Sequence, residues 1–179
     1  MLIDSNARTY EKPESGLYDA VFADYVDLGN VTTTFKGQTK TQHMIRLFWL
    51  LTAKDSEGNN FQVVKRVAAS MFEKSNLFKV VKGMLGQPPV LSGPKGSFEL
   101  EDLIGRNNQL VVNKEVKPDG KVYANIEAFL PAKTTFQIPS TFVRHKDRPT
   151  APAGAQTTQA TTSATKAVAV VEDTEDIPF

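Results

Sequence analysis

Residue types that do covalent or metal chemistry are sparse in this chain of 179 residues. It has two histidines and no cysteine. Thiol nucleophiles, Cys-zinc sites and disulfides are therefore excluded. His43 and His145 lie far apart, without acids at ligand spacing around them, and each reads as a surface histidine. Asp19, Asp24 and Asp27 come nearest to a two-metal nuclease set. Period-two alternation along a strand, however, puts Asp19 and Asp27 on one face and Asp24 on the other. Gly93-Pro94-Lys95-Gly96 is a loop with no helix behind it, so it does not cradle phosphates. The expectation is a protein that is not an enzyme and needs no cofactor or metal.

The chemistry that the side chains do offer is non-covalent capture of a polyanion. Single-strand binding needs a basic groove for phosphates and flat faces for bases, each stacked base contributing about 1–3 kcal/mol. Lys36, Lys40, Arg46, Lys65, Arg66, Lys117 and Lys121 are the phosphate candidates, and Phe35, Phe48 and Tyr123 the stacking candidates. Arg46 and Phe48 share one face of a strand by alternation, away from Trp49, which is assigned to the core. Lys65 and Arg66 point to opposite faces, so one of them meets the ligand. The charge distribution agrees with this reading. Residues 149–179 hold one Lys against four acids, net −3, which leaves 20 bases against 16 acids, net +4, on the rest.

The elements that must position these residues follow from period and punctuation. Residues 1–14 are polar and irregular and read as a loose arm. Leu17 to Leu28 is the first strand, bounded by glycines, and residues 30–41 read as a long mobile hairpin connection. Gln42 to Thr52 is the strongest strand, with Ile45, Leu47, Trp49 and Leu51 on its core face. A turn around Gly58 leads to a third strand, Phe61 to Ala68.

The period then changes to helical. Ser70 and Glu73 have capping-box spacing, Phe78, Val81 and Leu85 recur at helical intervals, and Gly86 with Pro88-Pro89 ends the helix. Leu100 to Ile104 reads as a short helical turn. Two strands follow, 108–116 and 121–130, joined at Pro118-Asp119-Gly120. Residues 131–148 read as a basic connector. The Ala/Thr/Gln-rich stretch 149–171 reads as disordered, because it cannot bury enough apolar surface to offset chain entropy.

Three strands, a helix and two strands is the element order of the OB-fold, a five-stranded Greek-key barrel that binds oligonucleotides across strands two and three and its hairpin loops. The chain ends Glu172-Asp173-Thr174-Glu175-Asp176-Ile177-Pro178-Phe179. Pro178 keeps this stretch extended. It resembles the acidic Ile-Pro-Phe tip of bacterial and phage single-stranded-DNA-binding proteins, which recruits replication and repair enzymes.

The body resembles phage-encoded members of the same group in several stretches. These are Tyr18 to Gly29, Phe35-Lys36-Gly37-Gln38-Thr39-Lys40, Ile45-Arg46-Leu47-Phe48-Trp49, Lys65-Arg66, Leu103-Ile104-Gly105-Arg106 and Tyr123-Ala124-Asn125-Ile126. The resemblance implies a mainly β OB-fold over residues 15–130 that coats single-stranded DNA during phage replication or recombination. It also implies a tip, residues 172–179, that recruits partners through Glu172, Asp173, Glu175, Asp176, Ile177, Pro178 and Phe179. A replication adaptor and a strand-annealing protein are the alternatives. No signal peptide and no membrane span are read from the sequence, which gives a cytoplasmic expectation, in the infected host cell. Self-association often accompanies coating, but no stretch specifies a dimer interface.

Overall fold

The computed structural model describes residues 11–148. The acidic tip and the 149–171 linker lie outside the described residues. The described part is mainly β. Its strands are β1 (Gly16–Phe35), β2 (Gln38–Lys54), β3 (Asn60–Ala68), β4 (Asn107–Val116) and β5 (Val122–Pro131), with one helix, α1 (Asn76–Leu85), between β3 and β4. All neighbouring strands are antiparallel, in the order β3-β2-β1-β4-β5. No hydrogen-bonded ladder joins β3 to β5, so the sheet is not closed. The two outer strands nevertheless approach each other, and the Lys65 ammonium donates across the gap to the Ile126 carbonyl at 3.0 Å.

The core forms on the face that the sequence selects. Ile45, Leu47, Trp49 and Leu51 of β2 are buried together with Val63 and Val67 of β3 and Leu110 and Val112 of β4. Trp49 is fully buried, its ring 5.3 Å from Phe22 and 5.6 Å from Phe129. Helix α1 closes this core with Leu77, Val80, Val81 and Met84. The expected apolar stripe of Phe78, Val81 and Leu85, with Leu77 and Met84 beside it, is thus rotated: Leu77, Val81 and Met84 are buried, and Phe78 and Leu85 only partly so. The cap differs too. Ser75, not Ser70, accepts from the Phe78 N–H at 3.2 Å. Ser70 instead accepts from the Phe72 N–H and shapes the turn before the helix. Gly86 ends α1 at φ 73°, the left-handed cap that glycine adopts at least cost.

Two local devices re-aim β1. The register with β2 slips between Phe22 and Asp24 and again between Asp27 and Gly29. At a bulge two residues oppose one, and facing shifts. Ala23 joins Val21 on the outer face, and Asp24 binds partners on that same face. Simple alternation along β1 therefore fails beyond Phe22, and the expected grouping of Asp19 with Asp27 against Asp24 does not survive.

Residues 131–148 are not a connector. Phe136, Ile138 and Phe142 pack on Val21, Ala23 and Leu50, covering part of the outer face of β1 and β2 as a strap. The arm is tied down at its end as well: Glu11 accepts from the Ser56 N–H at 2.9 Å, and the Glu14 carbonyl accepts from the Tyr18 hydroxyl at 2.9 Å.

At Gly83, α1 packs against Phe129 of β5. A Cβ there would stand 3.0 Å from Phe129 Cδ2 and 3.2 Å from its Cβ. The Phe129 ring is also packed against Trp49. Gly83→Ala gains helix propensity of about 1 kcal/mol but overpacks this contact at a cost of about 1–3 kcal/mol. We expect a net loss of stability of about 1 kcal/mol in urea denaturation. A gain would show that Phe129 yields freely.

Candidate nucleic-acid interface

The outer face of β2 and β3 carries an exposed cationic pair. Arg46 and Arg66 are register partners across the two strands. Directly opposed residues have Cβ atoms about 4.5–5.5 Å apart, and like charges there repel. Among the described residues, neither arginine has a carboxylate within ion-pair distance. The β1 neighbour of Arg46 is Val26, which supplies no counter-charge. Of the adjacent Lys65 and Arg66, Arg66 is the exposed one. Lys65 shares the parity of the core residues Val63 and Val67, and its ammonium is committed to Ile126. Burial pushes the pKa of Lys65 down.

The same face continues into a projecting ribbon. Residues 30–41, expected as a mobile connection whose ends extend the flanking strands, are paired strand up to a two-residue turn, from Asn30↔His43 to Phe35↔Gln38. The two-residue turn is Lys36-Gly37, with φ of 50° and 76°. Positive φ at both positions is what a type I′ hairpin turn requires, and it matches the strand twist. Cross-strand hydroxyl contacts stiffen the ribbon, Thr32 to Thr41 at 2.8 Å and Thr34 to Thr39 at 3.2 Å. Alternation along β2 aligns Lys40 with Arg46 over about 20 Å. Phe35 shares that face and is 72% exposed at the tip, with the Lys36 ammonium 5.4 Å from its ring centre. Phe35, Lys36, Lys40, Arg46 and Arg66 thus form one track of cations ending in an aromatic.

The other candidates are placed differently. Phe48 is only 4% exposed. His145 of the strap stacks on it, with ring centres 4.3 Å apart and planes at 29°. Phe48 therefore does not offer a free stacking face beside Arg46, whose exposed neighbour across the ladder is Arg66. Lys117 is paired with Glu115 at 3.0 Å, and Lys121 with Asp119 at 3.7 Å. Both lie at the β4–β5 turn, away from the arginine track. Tyr123 is half-exposed on β5 and faces outward, opposite Glu115.

The strap engages two acids, Asp24 and Glu101. The fully buried Asp24 carboxylate accepts from Arg144 Nε at 3.1 Å and from the His145 backbone N–H at 2.7 Å. It also accepts from His145 Nδ1 at 2.7 Å, which fixes the proton on that nitrogen because a carboxylate only accepts. Burial alone would raise the Asp24 pKa. The donors from His145 and Arg144 outweigh it and hold the carboxyl below its ordinary value. Arg144 also forks onto Glu101, with Nη2 2.9 Å from Oε2, and Lys146 reaches Glu101 at 3.4 Å. His145 is thus not a loose surface histidine. Among the described residues no cluster of three or more His, Asp and Glu residues is placed to hold a metal, and Asp27 is engaged by His43 at 2.6 Å.

The Arg144 guanidinium, with Tyr25 and Lys146, holds Glu101 down to about 2 from 4.5. A carboxyl depressed in the fold contributes stability above its unfolded pKa, and that contribution is lost as pH falls through the folded one. We therefore expect the melting temperature to drop between about pH 4.5 and 2. Glu101→Gln should flatten part of that drop. An identical acid profile in the variant would remove Glu101 from the account.

The strap is the part of the site that sequence reasoning missed. The signal was present in Phe136 and Ile138, spaced by two, and Phe142; the two phenylalanines were read as part of a basic connector and not as a packing face. No helix among the described residues is long and apolar enough to cross a membrane. In comparisons with known proteins, the chain matches no protein-family model and no curated protein.

Proposed function

We propose that this chain is a sequence-nonspecific single-stranded-DNA-binding protein, with no catalytic activity, whose sheet is an OB-type barrel left open at the β3–β5 seam. The observation that carries the reading is the uncompensated Arg46–Arg66 pair on the outer face of β2 and β3. Two opposed guanidinium groups without a carboxylate are unfavourable alone and favourable around a phosphate. The ribbon adds Lys40, Lys36 and the exposed Phe35, which suits a flexible strand whose bases stack irrespective of sequence. OB-folds bind oligonucleotides on this face and at this hairpin. The setting in phage replication and recombination rests on the sequence resemblance. So does recruitment of partner enzymes by the acidic Ile-Pro-Phe segment.

The test is fluorescence anisotropy of labelled oligo-dT against a duplex control over a salt series. Single-strand affinity should exceed duplex affinity, and log affinity should fall against log salt by about 0.7 per phosphate contact. A salt-insensitive affinity, or equal affinity for duplex, would sink the reading.

A further inference from the structure

The seam where the sheet fails to close is a groove of about 480 Å³, lined by β3, α1 and β5. That is within the range of about 300–1,000 Å³ typical of small-molecule sites. Its lining is mixed: the buried Val67, Val80 and Ile126 stand beside three cations, Lys65, Arg66 and Lys79, and the Lys65 ammonium is held by the Ile126 carbonyl. Lys79 is exposed on α1 and, among the described residues, has no carboxylate within ion-pair distance. The acid in the lining, Glu127, stands on the β5 wall and accepts from the Asn113 side chain at 2.9 Å.

We propose that this groove is a nucleotide subsite, in which one residue of a bound single strand sets its phosphate between Arg66 and Lys79 as the strand crosses from β3 to β5. The proposal rests on the single-strand reading above and extends it around the edge of the sheet. Continuity supports it. Arg66 belongs both to the arginine pair and to the groove. Asn125, on the far wall, is two residues from the half-exposed Tyr123 on the same face of β5. A strand leaving Arg46 and Arg66 therefore reaches Tyr123 by crossing the groove. Lys79 is the cation on α1 that lines this crossing, and nothing in the β2–β3 face requires it.

The test uses the full chain with Lys79→Gln, Arg46→Gln and Lys82→Gln, the last an exposed lysine of α1 outside the groove lining. Binding of long oligo-dT is measured over a salt series, with melting temperatures as a folding control. Lys79→Gln should reduce the salt slope by about 0.7 and the affinity about 5-fold near 0.1 M salt. Lys82→Gln should change neither. If Lys79→Gln binds like the wild type while Arg46→Gln weakens binding, the groove is overturned and the β2–β3 reading stands. Equal losses in Lys79→Gln and Lys82→Gln also overturn it, because the helix then acts through diffuse charge. If Arg46→Gln is silent as well, the underlying reading fails.

Discussion

Replacing Arg46 and Arg66 together by Gln is expected to weaken oligo-dT binding about 25-fold near 0.1 M salt. Each phosphate contact on a single strand contributes about 0.7 to the salt slope, so losing two removes about 1.4. At that salt concentration the same quantity is the loss in log affinity. The fold should be untouched or slightly stabilised, because both side chains are exposed and oppose each other across the ladder. The combination of lower affinity, shallower slope and unchanged melting separates ligand contact from structural damage. Full retention of affinity would mean that the pair is only a solvated edge.

Asp24→Ala is expected to act on stability rather than on charge at the proposed DNA face. Asp24 is fully buried and accepts from Arg144 and, twice, from His145. Breaking a buried pair by removing one partner costs about 3–5 kcal/mol, because the other charge is left uncompensated. Arg144 keeps Glu101 as a second partner, which places the loss near the low end, at about 3 kcal/mol. Urea denaturation should show a lower midpoint at an unchanged slope. The strap that covers Phe48 is anchored by these bonds, so its residues should also show faster amide exchange in the variant. A loss below about 1 kcal/mol would show that Phe136, Ile138 and Phe142 hold the strap without the ion network.

The strand and helix order was legible because the elements are separated by clear turn signals and β2 holds one period throughout. Trp49 and its alternate neighbours fall in the core as the pattern requires. What was illegible has physical causes. Lys36-Gly37 is a type I′ turn without the usual Asn or Asp, so the paired ribbon read as a loop. The bulge at Ala23 reverses facing along β1, and alternation cannot reveal where an extra residue is inserted. Phe48 does lie on the outer face, as its spacing from Trp49 demands, but outer did not mean exposed. A segment nearly a hundred positions later places His145 on it. Lys117 and Lys121 carry acids two residues away, and those local pairs remove them from the track.

The central claim is that a single strand lies along the outer face of β2 and β3. The most direct test is a backbone amide NMR footprint of the full chain titrated with oligo-dT. The account expects the largest shifts at Phe35 to Gly37, Lys40, Met44, Arg46, Val64 and Arg66, with little change on β4 around Asn113 and Glu115. Shifts concentrated on that β4 surface, or none at saturating oligo-dT, would contradict it.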